Sequence, residues 1–165
     1  MAPLLAGLWF ALAATAGLSE AARADAAAAD PPPKPRVYLV ALADGGQHGE
    51  PVGCGDSLVA DGRAVPTDLE GLRASIERLL ALPREPAGEY GPYNALGGSR
   101  LVLEQVRADR HGLVVRLSGR LWLGGMCDGP RVRAQLERTA GQLPAARPVQ
   151  IELNGKPLAA ALSLQ

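Results

Sequence analysis

The sequence predicts an α+β domain, a two-layer sandwich with two helices packed on one mixed β-sheet. Three observations lead there. Two stretches place apolar residues at helical spacing, and several others run or alternate as strands do. The chain has 165 residues, room for one domain of ordinary size. Hydrophobic residues reach 47% against 21% charged, which excludes a disordered or coiled-coil chain. Aromatics are only 4%, so the core has to be aliphatic.

The elements follow in order. Val37 to Leu42 (VYLVAL) is a continuous apolar run of strand length. A glycine-rich loop, Ala43 to Asp56, holds Cys54. Ser57 to Pro66 reads as a short hairpin turning at Asp61-Gly62. Thr67 and Glu70 have capping-box spacing, and Leu69, Leu72, Ile76, Leu79 and Leu80 form a helical stripe. Arg73 and Glu77 stand as an i,i+4 pair on its other side, and Pro83 ends the helix.

A glycine- and proline-rich loop runs to Ser99. Arg100 to Ala108 and Leu113 to Leu117 are strands joined by Asp109-Arg110-His111-Gly112, with Leu113, Val115 and Leu117 on one face. Pro130 suits the first position of a second helix, whose inner stripe is Val132, Leu136, Ala140 and Leu143. Val149, Ile151 and Leu153 alternate with Gln150 and Glu152 in a last strand, which runs into the Asn154-Gly155 turn.

The N-terminus reads as an address. Leu4 to Leu18 carries no charge, is short for a membrane span, and suits a signal-peptide apolar region, although no Lys or Arg precedes it. Small-x-small sites at Ala22-Arg23-Ala24 and Ala24-Asp25-Ala26 offer cleavage points. We read residues 1–26 as a signal peptide, 27–35 as a proline-rich tether, 36–160 as the folded domain and 161–165 as a tail. The expected location is extracytoplasmic, with membrane attachment only if the leader stays uncleaved. Lys+Arg and Asp+Glu both number 17, which argues against nucleic acid or an anionic membrane surface as the main partner.

Cys54 and Cys127 are the only cysteines, and in an exported chain an even pair reads first as a disulfide. Metal is the rival reading. Zinc asks for four ligands, or three plus water, and only His48 and His111 stand beside these thiols, neither at close ligand spacing. We expect no metal and no cofactor.

Five segments stand out together: Arg36–Leu42, Val52–Val59, Tyr90–Leu96, Leu117–Glu137 (LSGRLWLGGMCDGPRVRAQLE) and Val149–Leu158 (VQIELNGKPL). They resemble the GerMN domain, a module of sporulation, germination and other envelope proteins. Asp61-Gly62-Arg63-Ala64 departs from the pattern as a small insertion. The resemblance implies an extracytoplasmic α+β accessory or interaction module without known catalytic residues and with no general ligand; we expect an envelope protein or cell-wall component as the partner. It carries no binding residue across.

A different class of function competes through Gly55-Asp56-Ser57-Leu58, the signature of a serine hydrolase family. A serine nucleophile needs a base within hydrogen-bond reach and an acid to orient it. That family supplies Asp-x-x-His near the C-terminus, whereas no histidine follows Arg120 here. The simpler reading has Asp56 or Ser57 capping local backbone.

The remaining singletons read quietly. His48 sits in a polar loop and reads as solvated, and His111 lies in a hairpin turn, where histidine tolerates positive φ better than most residues. Gly124-Gly125 could form an anion-binding nest. Arg131, Arg133 and Arg138 read as an exposed helix face paired with Glu137. Tyr90, Tyr93 and Asn94 share one loop, where tyrosine suits partner contact; the competing reading folds both rings inward, aided by Trp122.

Overall fold

The fold is that of a computed structural model, which describes residues 33–85, 91–144 and 147–163. Among the described residues, seven strands and three α-helices follow one another as β1 (Val37–Ala41), β2 (Glu50–Val52), β3 (Asp56–Asp61), α1 (Leu69–Ala81), β4 (Arg100–Asp109), β5 (Gly112–Arg120), α2 (Asp128–Ala140), β6 (Val149–Leu153), β7 (Lys156–Pro157) and α3 (Leu158–Leu162). The α+β class matches the sequence reading. The single sheet does not.

The strands divide into a three-stranded antiparallel sheet, β1-β3-β2, and a four-stranded sheet, β4-β5-β6-β7. The second is mixed, because β5 and β6 run parallel while its other pairs are antiparallel. The outer edge of β1 is taken by a loop instead of a strand: Val40 and Tyr93 exchange backbone bonds of 2.8 and 2.7 Å. Periodicity marks strands, but their partners are a matter of long-range packing.

Both sheets and both long helices feed one apolar cluster. Val37 and Leu39 meet Leu72, Ile76 and Leu79 of α1, Val132, Leu136 and Ala140 of α2, and Leu113, Val115 and Leu117 of β5. The expected helical stripes are therefore the buried faces, except that Leu69 is exposed and Leu80 and Leu143 are partly buried. The α1 cap is Asp68 instead of Thr67; its Oδ1 accepts from the Gly71 amide at 2.8 Å. Helix α2 starts two residues before Pro130, which still falls in the first turn, where its missing N–H costs nothing.

The expected hairpin at Asp61-Gly62 is also different. The partner of β3 lies upstream, because β2 turns into β3 through Gly53-Cys54-Gly55. Gly62 (φ +90) instead brings the chain back against its own start, where the Arg63 and Ala64 amides donate to the Lys34 carbonyl. A Cβ at Gly62 would lie 2.5 Å from the Pro35 carbonyl oxygen, so only glycine fits. In the β4–β5 turn the positive φ falls on Gly112 (φ +119), not on His111.

Candidate functional site

Cys54 and Cys127 are bonded, with 6.0 Å between their Cα atoms, and no described cysteine is free. The bond joins the β2–β3 turn to the start of α2. The same two segments are tied again by Arg131, whose Nε lies 2.7 Å from Asp56 Oδ2 and whose Nη1 lies 3.2 Å from Asp128 Oδ1. Arg131 is thus largely buried, which corrects the exposed-face reading for this residue. Burial pulls its pKa down, and the two carboxylates more than offset this, so it stays raised above the ordinary arginine value. Arg133 and Glu137 do form the expected exposed pair at 2.8 Å, while Arg138 reaches Glu50 at 3.3 Å.

Asp128 is the centre of the cluster. Its carboxylate accepts from Arg84 Nη1 at 2.9 Å, from the Gly124 amide at 2.7 Å and from the Tyr93 hydroxyl at 3.2 Å. The Gly124-Gly125 turn does present a backbone N–H to an anion, and that anion is the protein's own Asp128. Two guanidinium groups lie against the Tyr93 ring, Arg84 at 5.2 Å and Arg131 at 5.5 Å from its centroid. Two arginines and two aspartates neutralise each other here.

Arg84 also stacks 4.2 Å from the centroid of Trp122, and a Cβ at Gly98 would meet the ring at 2.4 Å. Trp122 is therefore held on its inner side, yet 47% of it is exposed. It lines a groove of about 840 Å³ between the segment after β5, the first turns of α2, and α3. Leu121, Leu123, Met126 and Pro130 make the groove apolar, and Arg133 and Glu137 stand at its side. Met126 is 93% exposed. The disulfide sits at the rim between Gly53 and Met126, both of which line the groove.

The residues singled out in the tyrosine loop have other work. Asn94 is buried; its Nδ2 donates to the Leu79 and Leu82 carbonyls, closing the C-terminus of α1, and its Oδ1 accepts from Gln135 Nε2 at 3.2 Å. Gln135, itself fully buried, reaches the Tyr38 carbonyl and the Ala95 amide. Asn94, a candidate partner contact in the sequence reading, is thus a buried bridge between α1, α2 and β1. Tyr93 is half-buried and turned inward. Tyr90 lies outside the described residues.

Ser57 is fully buried, donates to Asp44 Oδ2 at 2.5 Å and accepts from the Gly46 amide. His48 bonds Asp44, so the carboxylate lies between histidine and serine, whereas a hydrolase needs histidine in the middle. Asp56 likewise accepts from the Ala43 amide at 2.9 Å, so both residues cap local backbone. The His48 side chain is 74% exposed. Among the described residues no group of three or more His, Cys, Asp or Glu could hold a metal ion, and no helix is long and apolar enough to cross a membrane.

Fold and site together define a small disulfide-bonded α+β domain with an aromatic groove beside a self-neutralised charge cluster. The model of the Germane family, described as "Sporulation and spore germination", matches residues 36–159, and the chain belongs to that family, which includes the GerMN domain. No curated protein and no solved structure matches significantly. Arg84, Asp128 and Trp122 as a unit were not legible in the sequence. Asp128 offered one signal, an acid directly before Gly129-Pro130 at a helix start.

Proposed function

We propose that the chain is an exported, non-enzymatic accessory module that binds a protein or cell-wall component of the envelope through the groove beside Trp122. Trp122 carries the reading. An aromatic ring braced from behind by Arg84 and open in front is pre-organised for contact, and little side-chain entropy is lost when a partner covers it. The family adds support for a sporulation- or germination-related role. The disulfide supports an oxidising compartment, where such bonds persist. The mature product is expected to begin at Asp25 or Ala27, which N-terminal sequencing of exported protein reads directly.

The hydrolase alternative is disfavoured by the buried Ser57 hydroxyl, already committed to Asp44 and Gly46. A generic ester offered to the purified protein, with Ser57→Ala beside it, tests the choice. No serine-dependent turnover is expected; a rate that disappears in Ser57→Ala would overturn the non-enzymatic reading.

A further inference from the structure

Strand β4 is the longest among the described residues and lies at one end of its sheet. Among the described residues nothing bonds to its outer edge. A row of unpaired backbone donors and acceptors over ten residues is a template for another strand. Proline, short length, charges and bulges all blunt such edges; β4 lacks the first two and carries Arg100, Glu104, Arg107 and Asp109. It has a bulge, and the bulge makes the strand self-complementary.

Pairing with β5 slips by one residue between Leu103 and Gln105, so Glu104 is the extra residue. Leu103 then faces Leu117 and Val106 faces Val115, which puts Leu103 and Val106 on the same, core-side face. In a regular strand, residues three apart point to opposite faces. A two-fold axis between Glu104 and Gln105 maps the strand onto an antiparallel copy of itself with every face preserved. Leu103 meets Val106, Leu101 meets Ala108, Val102 meets Arg107 and Arg100 meets Asp109.

The chemistry of those pairs agrees. Arg100 is exposed and has no side-chain partner among the described residues, and Asp109, at the other end of the strand, is an exposed carboxylate that pairs with Arg107 of its own strand and would be shared with the partner's Arg100. Val102, 58% exposed, would lie beneath the aliphatic stem of the partner's Arg107. We propose that two copies of this chain associate through antiparallel pairing of their β4 edges, giving a continuous eight-stranded sheet. The surface is separate from the Trp122 groove, so the two ideas stand or fall independently.

Sedimentation of the full chain with charge swaps tests this. The unaltered protein should show a concentration-dependent species of twice its own monomer mass. Arg100→Asp sets like charges opposite each other twice in the dimer and should weaken it about tenfold. Asp109→Arg should do the same, and the double swap Arg100→Asp/Asp109→Arg should restore association. Rescue by the double swap separates this edge from association through any other segment. A monomer at all concentrations, or an association indifferent to the single swaps, would overturn the proposal.

Discussion

Arg131 reaches from the first turn of α2 to Asp56 at the start of β3, with 2.7 Å between Nε and Oδ2. It spans the same two segments as the Cys54–Cys127 bond and also reaches Asp128. The groove rim is thus held once covalently and once by charge.

That double hold makes Asp128 the costlier residue to lose. Asp128→Ala leaves Arg84 and Arg131 short of a carboxylate in a largely buried site, and removing one partner of a buried pair costs about 3–5 kcal/mol. Denaturant unfolding should show that loss, while Glu137→Ala, which breaks only the exposed Arg133 pair, should change stability by under about 1 kcal/mol.

Reduction of the disulfide should lower the melting temperature and leave the protein folded. A loop of this length is worth roughly 4 kcal/mol in the chain-entropy model, and the aliphatic core and the Arg131 bridge remain. Thermal melts with and without reductant, followed by near-ultraviolet circular dichroism, check both halves.

Tyr93→Ala removes an inward-turned ring with two guanidinium groups against it and should cost about 3–5 kcal/mol. On the sequence reading of Tyr90 as the partner-contact ring, Tyr90→Ala is expected to cost under about 0.5 kcal/mol. Melts of the two variants side by side decide it, and a costlier Tyr90 would contradict the assignment.

Asp44 gives the acid response a source. Hydrogen bonds from Ser57 and then His48 hold its carboxyl well below the usual carboxylate range. A depressed folded-state pKa stabilises fully above the unfolded value of 3.8, and that contribution fades as pH falls from there toward the folded value. Asp44→Asn should therefore be less stable than the unaltered protein at pH 7, and the gap should narrow below about pH 4. Melting temperatures measured across that range supply the check.

The two long helices were legible because Leu72, Ile76 and Leu79, and Val132, Leu136 and Ala140, repeat at helical spacing over more than two turns. The alternation of β5 was equally plain. Strand β2, three residues including Pro51, has no period to read, and helix α3, five residues long, is shorter than any periodicity window. The pairing of Cys54 with Cys127 followed from there being two cysteines. The ion pair of Arg131 with Asp56 joins positions 75 apart, one among many possible pairs, and nothing local marks it. Asn94 looked like a surface residue because it sits in a glycine- and proline-rich loop, yet the free carbonyls ending α1 draw it inward.

The central claim is that Trp122 and its groove bind an envelope partner. Its most direct test is retention of envelope components on immobilised protein, with Trp122→Ala compared against the unaltered chain after matching their melting profiles. A component retained by the unaltered protein should be lost with Trp122→Ala. Equal retention by both would contradict it.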